Sequence, residues 1–223
     1  MKAAIFDHDG VLVDSEPLHR IAWKRTFGPR GIVVSKKDYA WSIGRRDLTF
    51  AGVIIKKFAL EDSAEVLVAE KRSHLLRLLA AKGRMFDGLI EVVRRLAGTH
   101  ALGIASSAMR PEIDISIERF GLQDLFAAIV SNEDVANHKP HPEPFLLCAD
   151  RLGVTPQDCV VFEDSVTGIE SAKAAGMNVI AFTSTFPAED LVAADAVMKS
   201  FADTDAVLRL AESILPAAGQ TKL

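Results

Sequence analysis

Short and almost wholly apolar segments recur along this chain, and they alternate with longer stretches of helical periodicity. Each segment is apolar on both faces rather than at every second position, which is typical of strands covered on both sides. Strands that alternate with helices in this way favour a parallel sheet. We therefore predict an α/β fold with helices on both faces of the sheet. The predicted strands are residues 3–6, 101–105, 128–130, 159–162 and 179–182.

The pattern changes between Ser15 and Lys82, where helical periodicity continues without strand-like segments. We interpret this stretch as a helical insert of about 65 residues, with ends uncertain by a few positions. The prediction is a Rossmann-like core formed by residues 1–14 and 83–223, with an inserted all-helical cap domain at residues 15–82. The tail after Pro216 is expected to fray.

Composition limits the class of protein. Lys and Arg number 26 against 30 Asp and Glu, and the net charge of −4 gives no general attraction for nucleic acid or acidic membranes. No apolar stretch approaches the ~20 residues that a membrane span needs. The first strand begins almost at Met1, so we expect no signal peptide. Cys148 and Cys159 lack metal-type spacing, so core packing in a reducing compartment is expected. We expect a cytoplasmic protein; the oligomeric state is left open, a monomer included.

The first strand is followed at once by Asp7-His8-Asp9-Gly10. Alternate residues of an extended segment point the same way, so Asp7 and Asp9 are expected to share one small volume while His8 faces elsewhere. Two like charges that close cannot both stay ionised without help. Either a cation lies between them or one pKa is raised, and both outcomes suit a catalytic site.

Three further segments fall at predicted strand ends, the edge at which open α/β sheets bind ligands. Ser106 and Ser107 follow the second strand, where they can cap a helix or hold phosphate oxygens. Lys139 lies in a proline-rich segment that restricts its backbone, so its ammonium is either solvated or aimed at an anion. Glu163 and Asp164 end the fourth predicted strand, where they can cap a helix or complete an oxygen-rich site suited to Mg²⁺.

Four motifs carry a family resemblance. They are D-H-D-G-V-L-V-D-S from Asp7, I-A-S-S ending at Ser107, K-P-H-P-E-P-F from Lys139, and F-E-D-S-V-T-G-I-E-S-A-K-A-A-G-M from Phe162. In this order they resemble the haloacid dehalogenase-like superfamily, in its phosphatase and β-phosphoglucomutase-like branch with a helical cap inserted after the first strand. The match covers nearly the whole chain. One departure is His8, because this position is more often apolar in the family.

The resemblance implies a role for each position. Asp7 would be the nucleophile that takes up a phosphoryl group, and Asp9 the general acid and base. Asp7, the main-chain carbonyl of Asp9, and Asp164 would hold Mg²⁺, with Glu163 beside the ion or one shell out. Ser106, Ser107 and Lys139 would bind the transferring phosphate oxygens. Dehalogenases lack the second aspartate and phosphonatases carry a small residue in its place, so the resemblance favours phosphate esters.

Substrate choice is expected to lie in the cap. His19 matches a histidine that mutase-like members carry, and Arg45 and Arg46 are candidates for binding a distal phosphate or sugar group. The lysine that mutases carry on the long cap helix has no fixed counterpart; Lys71 is nearby and Ser73 is a candidate for its position.

The predicted function is Mg²⁺-dependent hydrolysis of a small phosphorylated metabolite, most readily a sugar phosphate, through an aspartyl phosphate. Two alternatives stay open, a β-phosphoglucomutase-like phosphomutase and a non-catalytic protein that binds a phosphorylated ligand.

Overall fold

The central sheet has six parallel strands within residues 1–216, which are the residues that the computed structural model describes. The strands lie in the order β3-β2-β1-β4-β5-β6. Their bounds are β1 Ala3–Phe6, β2 Ala101–Ala105, β3 Phe126–Val130, β4 Cys159–Glu163, β5 Asn178–Phe182 and β6 Ala196–Met198. The predicted Rossmann-like parallel sheet is confirmed, and β6 is a strand that the sequence analysis missed.

The strand order reverses at β1. The chain first builds outward on one side through β2 and β3, and then returns to place β4 on the other side of β1. In open α/β sheets this reversal leaves a crevice at the carboxyl ends of the two central strands, where ligands bind. The topology therefore directs attention to the ends of β1 and β4.

Helices cover both faces of the sheet. Beyond the cap they are α5 Leu89–Ala97, α6 Arg110–Arg119, α7 Glu143–Leu152, α8 Val166–Ala174 and α9 Thr204–Ser213. On one face, Phe145 of α7 and Ile169 of α8 pack in one buried cluster with Ile5 and Val161. On the other face the ring of Phe6 stacks on that of Phe162 at 4.5 Å between centroids, as expected when successive strand residues alternate between faces.

The cap helices are α1 Glu16–Phe27, α2 Lys36–Ser42, α3 Asp47–Phe58 and α4 Ala64–Lys82. They enclose an apolar core of their own. Trp23 stacks on Phe27 at 5.0 Å, and Phe50 meets the Trp23 ring edge-on at 5.3 Å. Ser35 and Ser63 cap α2 and α4 by accepting backbone N–H groups. The all-helical character predicted for this segment is present.

The chain divides into two compact units, Ser15–Gly83 and the remainder, which joins Met1–Asp14 to the chain from Arg84 onward. The tail after Pro216, for which fraying is expected, lies outside the described residues. Cys148 and Cys159 are free thiols buried in the sheet core. Over the described residues, none of the helices combines the length and the apolar character needed to cross a bilayer.

Candidate active site

Three carboxylates meet where β1 and β4 end. Asp7 follows β1 directly, and its backbone N–H donates to the carbonyl of Phe162 at 3.0 Å. Glu163 is the last residue of β4 and Asp164 is the next. All three are buried, and they offer oxygens that lie within 4.8 Å of one another. The register between two neighbouring parallel strands is what brings these residues together.

The turn after β1 fits closely around Asp164. The N–H of Gly10 donates to the carbonyl of Val13 at 2.9 Å, and Gly10 has a φ of +76°. A Cβ at this position would lie 1.8 Å from Oδ2 of Asp164. Glycine is therefore required twice, for the left-handed backbone and for the space that the carboxylate occupies.

Lys139 supplies a cation to this acidic site. Its Nζ donates to Oδ1 of Asp7 at 2.8 Å and to Oε1 of Glu163 at 2.7 Å, and its side chain is only 6% exposed. The ammonium also lies 4.7 Å from the ring centroid of Phe145. Lys139 is thus held against the carboxylates and is not a solvated surface lysine.

Burial governs the ionisation of the site. Desolvation raises the pKa of Asp7 to about 6, although the ammonium of Lys139 opposes this shift. Burial together with the charges of Glu163 and Asp7 raises the pKa of Asp164 well above its usual range. Burial alone would lower the pKa of Lys139, but the two carboxylates outweigh it and the net shift is upward. Lys139 is therefore cationic at neutral pH.

These residues fit a hard divalent cation. Three buried carboxylates face one ammonium, so the negative groups outnumber the positive one in this site. The available ligand atoms are carboxylate oxygens, which Mg²⁺ prefers in proteins. The cluster can hold a metal ion through Asp7 and Asp164.

Glu163 stabilises the start of α8, a role that the sequence analysis did not predict. Its Oε2 accepts three hydrogen bonds, from the N–H of Asp164 at 2.8 Å and from the N–H and the hydroxyl of Ser165 at 2.9 and 3.0 Å. Its Oε1 accepts from Lys139. Ser165 in turn caps α8 by accepting the N–H of Gly168 at 3.1 Å. Glu163 therefore links the lysine to the start of α8.

The serines after β2 differ from each other. Ser106 is buried, and its backbone N–H donates to Val130 of β3 at 3.0 Å. Its hydroxyl accepts the N–H of Ala108 at 3.2 Å, whereas Ser107 is exposed. The alternative in which Ser106 or Ser107 caps the next helix is wrong, because α6 begins at Arg110 with Met109 in the N-cap position.

His8 points away from the carboxylate cluster into the protein interior. The hydroxyl of Ser116 donates to the carbonyl of Glu112 at 2.8 Å, so its oxygen accepts a hydrogen from Nε2 of His8 at 2.9 Å. Nδ1 of His8 then lies 3.3 Å from Oδ1 of Asp9, whose side chain is about one third exposed (36%). Asp9 is thus the most accessible carboxylate among the predicted catalytic residues.

Within the cap unit, His19 takes part in a polar cluster. Nζ of Lys71 lies 2.8 Å from Nδ1 of His19 and donates to Oδ2 of Asp47 at 2.7 Å. Lys71 is buried, whereas Ser73 is exposed, so Lys71 is the residue of α4 that reaches the histidine. The alternative that placed Ser73 here is not supported.

The two candidate arginines lie on the cap surface. Arg45 donates to the carbonyl of Trp41 at 2.7 Å, and its guanidinium carbon lies 4.5 Å from the centroid of the Trp41 ring. Arg46 is exposed and occupies the N-cap position of α3. Their role in binding substrate stays a prediction.

Sequence reasoning missed two hydroxyls that follow β5. Ser184 donates to the carbonyl of Gly10, and Oγ1 of Thr185 lies close to the carboxylate of Asp164. Both contacts join segments more than 20 residues apart in the chain, and no local pattern marks them. Only their position after a central strand, where side chains reach the binding edge, could have suggested them.

Comparison with known proteins finds related sequences. The family model of haloacid dehalogenase-like hydrolases matches residues 4–182. Fructose-1-phosphate phosphatase YqaB of Escherichia coli K12 is 33% identical over 79% of this chain and 93% of its own length. Hexitol phosphatase B of the same organism is 34% identical over 80% of this chain and 82% of its own.

One solved structure has a fold similar to that of this chain. The haloacid dehalogenase-type hydrolase of family IA, variant 3, from Entamoeba histolytica superposes with a TM-score of 0.83 at 26% identity. The superposition covers 96% of this chain and 99% of that protein.

Proposed function

Because the chain belongs to the haloacid dehalogenase-like hydrolases, we propose that it is a Mg²⁺-dependent phosphomonoester hydrolase that acts on a small sugar phosphate. The observation that carries the proposal is the buried arrangement of Asp7, Lys139, Glu163 and Asp164 at the switch point of the sheet. The sugar class is supported by the relatives, whose names describe phosphatases of fructose 1-phosphate and of hexitol phosphates.

Asp7 is the proposed nucleophile. One carboxylate oxygen forms a bond to phosphorus while the bond from phosphorus to the ester oxygen breaks, which leaves an aspartyl phosphate. Lys139 holds Oδ1 of Asp7 at 2.8 Å, so the carboxylate is oriented before substrate arrives. Burial leaves this carboxylate poorly solvated and raises its pKa to about 6, and the ammonium of Lys139 opposes that shift.

Asp9 is the proposed general acid and base. It gives a proton to the departing ester oxygen and then takes one from the water that attacks the aspartyl phosphate. This second step releases inorganic phosphate and restores the carboxylate of Asp7. The partial exposure of Asp9 suits a group that exchanges protons with an entering alcohol or water.

Asp7, the main-chain carbonyl of Asp9, and Asp164 would hold Mg²⁺. When bound, the ion offsets repulsion between the anionic nucleophile and the anionic phosphate. Lys139 and the hydroxyls and backbone N–H groups at Ser106 and Ser107 are proposed to bind the phosphate oxygens. The role of Ser106 is supported by its position directly after β2, at the edge of the sheet where β1 and β4 also end.

The test is phosphate release by the purified protein from a panel of sugar phosphates, with and without Mg²⁺. Asp7→Asn should abolish release, whereas Asp205→Asn, which alters a surface partner of Arg95, should not. Acid-quenched wild type should carry one phosphoryl group on the peptide that contains Asp7. Full activity of Asp7→Asn, or full activity in EDTA, would overturn the proposal.

A phosphomutase is the second candidate, and the contact between Lys71 and His19 in the cap favours it, because mutase-like members carry a histidine and a lysine in these regions. A mutase transfers the phosphoryl group of a sugar bisphosphate to a sugar monophosphate and returns no net phosphate. Conversion of β-glucose 1-phosphate to glucose 6-phosphate, with a bisphosphate primer and without phosphate release, would select this candidate over the hydrolase.

A further inference from the structure

The segment that follows β5 braces the turn that carries the proposed catalytic aspartates. The N–H of Thr183 donates to the carbonyl of Met198 at 3.0 Å, which fixes the segment to β6. The hydroxyl of the next residue, Ser184, donates to the carbonyl of Gly10. The segment is therefore attached both to the outer strand of the sheet and to the turn after β1.

Thr185 completes this contact through the carboxylate of Asp164. Its hydroxyl lies close enough to that carboxylate to oppose the rise in the pKa of Asp164. The position that a Cβ would take on Gly10 lies 1.8 Å from Oδ2 of Asp164 and 2.7 Å from Oγ1 of Thr185. The carboxylate of Asp164 thus lies in a confined space, between the backbone of Gly10 and the hydroxyl of Thr185.

We propose that Thr185 is a positioning residue that orients the carboxylate of Asp164 toward the divalent cation. The inference rests on the proposed function, since it requires Asp164 to bind the ion. A carboxylate has two oxygens with about four acceptor positions. A hydrogen bond donated by Thr185 would occupy one of these positions and fix the plane of the group, while oxygens of Asp7 and Asp164 remain within 4.8 Å of each other. Partners of this kind orient metal ligands, and their loss typically weakens metal affinity about 10–100-fold.

The geometry distinguishes Thr185 from its neighbour. Ser184 contacts a main-chain carbonyl and so acts on the shape of the turn, whereas Thr185 contacts the side chain that would bind the ion. Thr185→Val replaces the hydroxyl by a methyl group of similar size, and Thr185→Ser keeps the hydroxyl while removing a methyl group. The pair separates hydrogen bonding from packing.

The experiment measures binding of Mg²⁺ and of Mn²⁺ to metal-free protein by titration calorimetry, without substrate. Thr185→Val should raise the dissociation constant about 10–100-fold, and Thr185→Ser should stay within a few-fold of wild type. The matched control is Thr155→Val, because Thr155 also donates its hydroxyl to a carboxylate, that of Asp158 at 2.9 Å, on the exposed surface before β4. This control should bind both ions as the wild type does.

Three results would overturn the inference, and they differ in what else they overturn. If wild type and Thr185→Val bind the ions equally well, Thr185 does not position the ligand and the metal site itself stands. If the wild type binds neither ion, or Asp164→Asn binds as the wild type does, the proposed metal site fails and the inference fails with it. A second readout is the activity of Thr185→Val, which should recover when the metal concentration is raised.

Discussion

Gly168 is a position where the addition of one methyl group has a large and predictable effect. It lies in the first turn of α8, and a Cβ there would fall 1.7 Å from Oε1 of Glu163 and 2.0 Å from its Cδ. No side chain tolerates contacts that short, so Gly168→Ala must displace the carboxylate of Glu163. That carboxylate is buried and accepts four hydrogen bonds, one of them from Lys139.

The loss of stability in Gly168→Ala can be estimated from the hydrogen bonds that Glu163 loses. A hydrogen bond to a charged group contributes about 1.5–3 kcal/mol, so breaking two of the four costs about 3–6 kcal/mol. Alanine in a helix stabilises by about 1 kcal/mol relative to glycine. We therefore expect Gly168→Ala to lower the free energy of unfolding by about 2–5 kcal/mol. Activity should also fall, because Lys139 loses one of its two carboxylate partners.

The control is the same substitution at Gly52, inside α3. A Cβ at Gly52 meets nothing within 4 Å, so Gly52→Ala should stabilise the protein by up to about 1 kcal/mol. Urea-induced unfolding followed by far-UV circular dichroism gives both values. The fluorescence of Trp23 and Trp41 separately follows the cap unit, which contains both tryptophans. Equal stability of Gly168→Ala and wild type would refute the argument that Glu163 is held in place.

Three further predictions concern charge in the site. Lys139→Met should lower the free energy of unfolding by about 3–5 kcal/mol and abolish activity, because it leaves buried carboxylates uncompensated. The control is Lys173→Met, which breaks a surface ion pair and should lower the free energy of unfolding by no more than about 1 kcal/mol in the same urea titration. In EDTA, the raised pKa of Asp7 means that the folded protein binds an extra proton between the ordinary aspartate pKa of 3.8 and about 6. This proton therefore stabilises the folded protein fully below about pH 4, and the stabilisation is lost as pH rises through about 6. The free energy of unfolding changes by about 3 kcal/mol across this range. Thermal unfolding of Asp7→Asn, measured at several pH values, should not show this change. Mg²⁺ at about 100 times its dissociation constant should stabilise the wild type by about 2.7 kcal/mol and leave the unfolding temperature of Asp164→Asn unchanged.

The fold could be predicted where residues were buried on two faces. β1 and β4 are buried at every position, and such segments stand out as continuous apolar stretches. β6 was missed because it lies at the edge of the sheet, where Ala196 and Met198 are only partly buried and Val197 is exposed. For the same reason β3 was predicted too short, since Ala127 is exposed within it.

The site could be predicted in its residue types and not in its contacts. A lone lysine is usually solvated, and nothing near Lys139 in the sequence shows that its partners lie 132 and 24 residues away. Glu163 is predicted beside the ion or one shell out, and nothing near it in the sequence indicates that it also accepts three hydrogen bonds at the start of α8. The cap contact between Lys71 and His19 spans 52 residues, which no periodicity can report.

The sequence by itself determined which residues follow the central strands, because strand burial and turn chemistry are local properties that leave a pattern in neighbouring residues. Tertiary structure alone decided which carboxylate each donor contacts, since the order of strands in the sheet juxtaposes segments that are remote in the chain. Burial then set the ionisation of Asp7, as the cost of desolvating a charge depends on everything packed around it. The identities of the reacting groups are therefore written in the sequence, and their charges and orientations arise from the fold.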